Sequence, residues 1–142
     1  LRYTLQSNES QSVSLREEME FASAYIFLLK MRFENNLQFD IQIAKSFEDY
    51  RLPPMAVQVL IENAVKHNEI SDRKPLTIHI VTNNEGYLSV SNDIQPKRTA
   101  ASGTGIGLVN LAKRYRLLFK QDIQITEDKE FSVCIPLIDE VQ

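Results

Sequence analysis

The chain has 142 residues, 43% of them apolar and 25% charged, with a net charge of −3 at neutral pH. That is enough for one domain with a proper core, and the balance is ordinary for a soluble globular protein. The negative charge gives no support to a general nucleic-acid or anionic-membrane surface, so no nucleic-acid partner is expected. A single cysteine, Cys134, excludes an internal disulfide framework and a cysteine-built zinc site. It lies in an apolar strand-like run and is expected to be a buried structural thiol. No run reaches the roughly 18 apolar residues needed to span a bilayer, and no signal peptide is evident. The chain starts at Leu1 rather than methionine, so a piece of something longer is expected.

Residues 1–13 divide into a short helical-looking remnant, Leu1 to Leu5, and a polar linker. Ser14 then opens a helix, because Ser14 and Glu17 have the spacing of a capping box. Leu15, Met19, Ala22, Ile26, Leu29 and Phe33 alternate at spacings of four and three, which marks one face of a helix reaching to about Asn35. A second apolar set, Phe21, Tyr25, Phe27 and Leu28, makes that helix apolar beyond one stripe and fits it to a partner as well as to its own core. Phe39, Ile41 and Ile43 alternate as a strand does. Leu52-Pro53-Pro54 stops the chain and opens a new helix, proline being suited to a first helical turn. Val57, Leu60, Ile61, Ala64 and Val65 form its buried face. Leu76, Ile78 and Ile80 make a strand, Asn83 to Gly86 a hairpin turn, and Leu88 and Val90 the returning strand, which ends at Asn92. A polar loop from Asp93 to Ser102 leads to a further helix over Ile106 to Leu118. Two last runs, Ile123/Ile125 and Phe131/Val133/Ile135, flank a turn at Asp128-Lys129. Hairpins rule out a doubly wound parallel sheet. An α+β fold is predicted, a two-layer α/β sandwich with a mixed, mostly antiparallel sheet covered on one face by about three helices.

Three of the four glycines, Gly103, Gly105 and Gly107, fall within five residues where that loop meets its helix. Glycine admits positive φ and close approach to backbone, and a helix start presents free N–H groups and a positive dipole end, the usual setting for a phosphate. The cluster is not a P-loop, since no Lys-Ser or Lys-Thr follows, and its spacing is too tight for a dinucleotide fingerprint. The second informative stretch is Glu62-Asn63-Ala64-Val65-Lys66-His67. On a helix Asn63, Lys66 and His67 share one side. The Asn63 carbonyl is an oxygen ligand of the kind Mg2+ takes, and Lys66 is a mobile point charge for a phosphate. Taken alone, such a polar set is more often a solvated helix face. His79 lies mid-strand on the face opposite Ile78 and Ile80 and is expected to be an exposed strand histidine rather than a catalytic one.

Together the two motifs are far more specific. Glu-Asn-Ala-x-Lys-His, a hairpin, then Gly-Thr-Gly-Ile-Gly-Leu at a loop-to-helix junction resembles the GHKL (Bergerat-fold) ATP-binding domains, and within these the catalytic domain of a sensor histidine kinase of a two-component system. Leu52-Pro53-Pro54-Met55 before the asparagine helix, and Arg32-Phe33-Glu34-Asn35-Asn36-Leu37 ending the preceding one, make the chain look like the LytS-like family over residues 14–137. That resemblance implies that Asn63 binds the Mg2+ bridging the ATP phosphates. Glu62 matches the general base of the related ATPases, so the implied catalytic set is Glu62, Asn63 and Lys66. Lys66 and His67 would stand near the phosphates or ribose. Gly103, Thr104, Gly105, Ile106, Gly107 and Leu108 match the box that holds the triphosphate, and residues 93–104 would form the ATP lid. Residues 1–13 would be the end of the dimerisation and phosphoacceptor region with its linker, and 14–142 the catalytic domain.

One departure stands out. The family's Asp-x-Gly-x-Gly box, which recognises the adenine amine, here reads Asn92-Asp93-Ile94-Gln95-Pro96, with no glycine. Asn92 aligns with the aspartate and keeps an amide oxygen as acceptor, with a loss of about 1 kcal/mol for the missing charge; a one-residue shift would put Asp93 there instead. Neither histidine stands in the His-Phe-x-Phe-Asn context of the family's phosphoacceptor. The resemblance therefore implies transfer of the ATP γ-phosphoryl group to a histidine upstream of these residues, then to a response regulator. It further implies a homodimer when full length, and a cytoplasmic domain of a protein in the bacterial membrane. Two other readings are a catalytically decayed, nucleotide-responsive interaction module, for which the altered adenine box speaks, and a stand-alone GHKL ATPase. The short lid and the upstream helical remnant speak against the last.

Overall fold

The computed structural model describes residues 11–97 and 105–140. The expected remnant Leu1–Leu5, Gly103 and Thr104, and most of the expected lid lie outside them. Helix α1, Leu15–Phe33, starts as its sequence dictates: the Ser14 side chain accepts from the Glu17 amide while Glu17 Oε1 accepts from the Ser14 amide, both at 3.1 Å. A 3-10 turn, Glu34–Asn36, follows it. The inward side of α1 buries Leu15, Ala22 and Leu29, together with one charged residue, Glu18.

Two strands too short to show a pattern come next to the expected ones. Val13–Ser14 (β1) pairs antiparallel with Arg51–Leu52 (β3), and Arg51 also bridges to Ile138. This small ribbon ties the start of α1 to the segment before the second helix, α2 (Ala56–His67). The main sheet runs in the order β2-β4-β5-β7-β6, from Leu37–Gln42, Leu76–Thr82, Tyr87–Asp93, Glu130–Pro136 and Gln124–Glu127. Only β2 and β4 are parallel, with Phe39 opposite Ile78, and α2 lies in the crossover between them. The other three pairings are antiparallel. The β4–β5 turn is set by Asn83, whose Oδ1 accepts from the Glu85 and Tyr87 amides, and by Gly86 at φ +84°.

Alternation along the strands decides which face is covered. Leu37, Leu76, Ile78, Ile80, Leu88, Val90, Val133 and Ile135 are all buried, and the helices supply Ala56, Val57, Leu60, Ile61, Ala64, Leu111 and Tyr115 to the same core. The α+β sandwich expected from the element order is the architecture found, with α1, α2 (Ala56–His67) and α3 (Ile106–Phe119). Two expectations are corrected. Cys134 is half-buried rather than buried, because it alternates away from Val133 and Ile135 onto the uncovered face, opposite Ser89 and Gln124. Pro53 and Pro54 stand before α2 and not in its first turn. Met55 intervenes at φ +69°, a left-handed residue that reverses the chain before the helix starts at Ala56. His79 faces out as expected, with Nδ1 2.9 Å from Asp40 Oδ2 on the neighbouring parallel strand.

Candidate functional site

Met55 cannot cap α2, and no side chain of its own segment does so. The partner comes from α1. Glu18, 3% exposed, accepts from the Met55 amide through Oε1 and from the Val57 amide through Oε2, both at 3.0 Å. A carboxylate at a helix start satisfies free amides and suits the dipole. Arg114 of α3 donates to the Pro54 carbonyl at 2.7 Å beside it. Burial pushes the Glu18 carboxyl above its usual value, opposed by the amides of Met55, Val57 and Gln58 and by the Arg114 charge. Through this one side chain α1 fixes where α2 begins, and hence the height of every residue on it.

One face of α2 looks into a cavity of about 350 Å3, lined by Asn63, His67, Asn68, Ile94, Pro96, Gly105, Leu108, Glu127 and Phe131. Its size is within the range of small-molecule sites. Four of the sequence-derived candidates are brought together there: Asn63 and His67 from α2, Gly105 and Leu108 from the start of α3. Glu62 and Lys66 lie on the exposed side of α2 and are not among the lining residues, and Ile106 and Gly107 are likewise exposed. Burial, and then the charges of Lys66 and Lys97, hold the His67 imidazole below its usual pKa, so it is neutral at neutral pH.

The α3 side of the cavity differs from the α2 side. Gly105 is the residue before α3, at φ +85°, and no side chain among the described residues caps the helix. A Cβ built on Gly105 would meet nothing within 4 Å, so conformation rather than space requires glycine there. At Gly107 neither conformation nor space demands glycine: a Cβ there would come 3.5 Å from Val59, an ordinary van der Waals contact.

Asn92 is 1% exposed, is not among the lining residues, and stands opposite the lining residue Phe131 on β7; its Nδ2 donates to the Asp93 carbonyl at 2.8 Å. Asp93 is exposed. Next to it is a clamp the sequence did not disclose. Buried Asn68 donates from Nδ2 to the Ala64 carbonyl and accepts the Gln95 amide at Oδ1, both at 2.8 Å. Gln95 returns bonds to the Glu69 and Lys74 carbonyls, and its own carbonyl accepts the Glu69 amide. The segment that replaces the glycine-containing box is thereby stapled to the end of α2. Asn68, Ile94, Pro96, Glu127 and Phe131 were all missed as lining residues. Asn68 adjoins a recognisable motif, but Phe131 looks like any inward strand residue until β7 is paired with β5 and β6.

Chemically, the cavity offers an amide oxygen, a neutral imidazole, the start of α3 and the apolar side chains of Ile94, Leu108 and Phe131. No cluster of three or more His, Cys, Asp or Glu suited to a metal occurs among the described residues. A hard cation here would take Asn63 as its protein oxygen and complete its shell from ligand oxygens and water, which is the habit of Mg2+.

A family model described as Histidine kinase matches residues 1–37. The chain is 34% identical over 143 residues to the sensor protein LytS of Streptococcus mutans, covering 89% of this chain, and 28% identical over 120 residues to the sensor histidine kinase BtsS of Escherichia coli K12, covering 82%. It spans about a quarter of the length of these curated relatives, 24% and 21%. Among solved structures it resembles the cytoplasmic segment of histidine kinase QseC, with a TM-score of 0.62 at 9% identity over 91% of this chain and 78% of that one. It also resembles a nucleotide-free catalytic domain of histidine kinase ThkA, with a TM-score of 0.60 at 18% identity over 90% and 99%. These two likenesses establish the fold.

Proposed function

We propose that this chain, which belongs to the sensor histidine kinases, binds ATP in the cavity between α2 and α3 and presents its γ-phosphoryl group to a histidine outside these residues. The observation that carries this reading is that Asn63 of α2 and Gly105 at the start of α3 line one cavity. The start of α3 suits the phosphates, and the apolar side chains of Ile94, Leu108 and Phe131 in the lining suit a purine base. Asn63 would hold Mg2+, which supplies neutralisation of charge developing on the transferred group. Neutral His67 donates or accepts one hydrogen bond near the ribose or phosphates without adding charge. Exposed Lys66 and Glu62 are assigned to the mouth of the site, Lys66 as a point charge for the phosphates and Glu62 as the matching base position. Catalysis of this kind rests on positioning and electrostatics rather than covalent chemistry by the protein. The phosphoryl group would pass on to a response regulator, and the full-length protein would act as a dimer through its upstream helices.

Mixing the chain with ATP, Mg2+ and a separately made histidine-bearing helical segment of the same protein is expected to yield phosphohistidine. Asn63→Ala is expected to reduce that yield at least about 100-fold, in keeping with the loss of a preorganised electrostatic contact; an unchanged yield would sink the site assignment. One observation favours a second reading, a nucleotide-responsive module without catalysis: the segment after Asn92 carries no glycine and is held to the end of α2 by Asn68 and Gln95. Calorimetry decides between them, since absence of heat at millimolar ATP-Mg2+ would leave only the module.

A further inference from the structure

Among the described residues, Glu127 is the one acidic side chain that lines the cavity. Strand alternation puts it there. Glu127 of β6 stands directly opposite Phe131, just as Ile125 stands opposite buried Val133, so it shares the helix-covered face of the sheet. The β6–β7 turn is tied to the segment after β5, because the Ile94 amide donates to the Lys129 carbonyl at 3.3 Å. Glu127, Phe131 and Ile94 are thereby held together as one part of the lining. No hydrogen bond or ion pair among the described residues engages the Glu127 side chain. It is exposed, so its carboxylate stays hydrated until something covers it. Strand β5 supplies no competing carboxylate. Asn92 is outside the lining, and Asp93 alternates to the uncovered face, opposite Glu130.

We propose that Glu127 reads the base of the nucleotide: with adenine packed against Ile94 and Phe131, its carboxylate accepts a hydrogen bond from the exocyclic amine. The proposal rests on the reading of the cavity as an ATP site and adds the residue that selects the base. A carboxylate is an acceptor only, so it repels a triphosphate and suits a neutral group that carries N–H donors. Such a bond is charge-assisted and stronger than one between neutral partners. The two apolar neighbours favour a flat ring beside the same carboxylate. A purine that lacks the amine would cover Glu127 and leave it without a partner, which makes the contact discriminating as well as attractive.

Titration calorimetry on the whole chain tests it, with ATP and with purine riboside triphosphate, which lacks only the 6-amine, each in the presence of Mg2+. Wild type is expected to bind ATP at least about tenfold more tightly than the analogue. Glu127→Ala is expected to bind the two alike. Glu127→Gln, which keeps an acceptor oxygen and the side-chain volume, should recover part of the preference. Glu130→Ala, which removes the acid of the same hairpin on the uncovered face, should keep all of it. Circular dichroism checks that each variant is folded. A preference for ATP that persists in Glu127→Ala, or equal affinities in wild type, would overturn this proposal and leave the nucleotide reading standing. Failure of wild type to bind either nucleotide would overturn both. Two further results would overturn the assignment to adenine. One is a loss in Glu127→Ala that is equal for both nucleotides and vanishes without Mg2+, which would make the carboxylate a metal ligand. The other is tighter binding of GTP than of ATP, since guanine offers a carboxylate two adjacent N–H donors.

Discussion

Two helices in this molecule begin in the same unusual way, and they are used oppositely. Both α2 and α3 are preceded by a residue in the left-handed region, Met55 at φ +69° and Gly105 at φ +85°, and neither of those residues caps its helix with a side chain. At α2 the free amides are taken by a carboxylate of the protein itself, Glu18, delivered from α1 and buried. At α3 no side chain among the described residues fills that role, and the helix start borders the cavity. A helix N-terminus, with its unsatisfied amides and positive dipole end, favours an anion. The protein places a carboxylate of its own where it needs rigidity, and sets the other helix start beside Asn63, where the proposed function puts a ligand's phosphate.

The largest way to break the contrast is to empty the filled end. Glu18→Ala leaves the Met55 and Val57 amides without a partner in a buried place, and is expected to lower stability by about 2–3 kcal/mol in denaturant unfolding. A loss below about 0.5 kcal/mol would mean that the carboxylate does not hold α2. Burdening the open end comes next. Gly105→Ala forces a side chain into a left-handed conformation, at about 1–2 kcal/mol, and titration calorimetry should show weaker ATP binding as the loop-to-helix junction shifts. The two left-handed positions should also respond differently: Met55→Gly relieves backbone strain but gives up the covered part of a side chain only 36% exposed, and is expected to change stability by less than about 1 kcal/mol in thermal unfolding.

The most delicate test is of pH. Burial raises the folded-state pKa of Glu18 above its unfolded value of 4.5. Below that value both states carry the proton and the group takes nothing from stability. As pH rises through the raised folded value, the unfolded state has already released its proton and stability falls. Relative to wild type, Glu18→Gln should therefore lose its disadvantage, or gain, as pH increases from 4 towards neutrality. His67 runs the other way. Its pKa is depressed, so whatever it contributes to folding is complete above its ordinary value and is withdrawn as pH falls through the folded one.

Much of this was legible without coordinates, and for one physical reason. The Ser14–Glu17 cap, the 3.6-residue period of α2, the alternation of Leu76, Ile78 and Ile80 and the turn at Asn83 to Gly86 are all decided by neighbours within a few residues. The elements therefore appear in the order expected, and Asn63, His67, Gly105 and Leu108 could be named as one constellation. Errors arose where the deciding partner is distant. The start of α2 was misjudged at Pro53 and Pro54 because its cap, Glu18, is 39 residues from Val57. Cys134 was assigned to the core because an apolar run does not say which of its faces is covered.

The amino-acid sequence thus specified the local geometry and two of the cavity's walls, since short-range sterics and hydrogen bonding read directly from residue type. Only the folded chain decided that β2 pairs parallel to β4, that Asn68 and Gln95 staple the segment after β5 to the end of α2, that Asn92 is buried while Phe131 opposite it lines the cavity, and that one helix start is closed by α1 while the other borders the cavity. Each of those depends on which surfaces meet after burial, and burial is a property of the whole core rather than of any stretch of it.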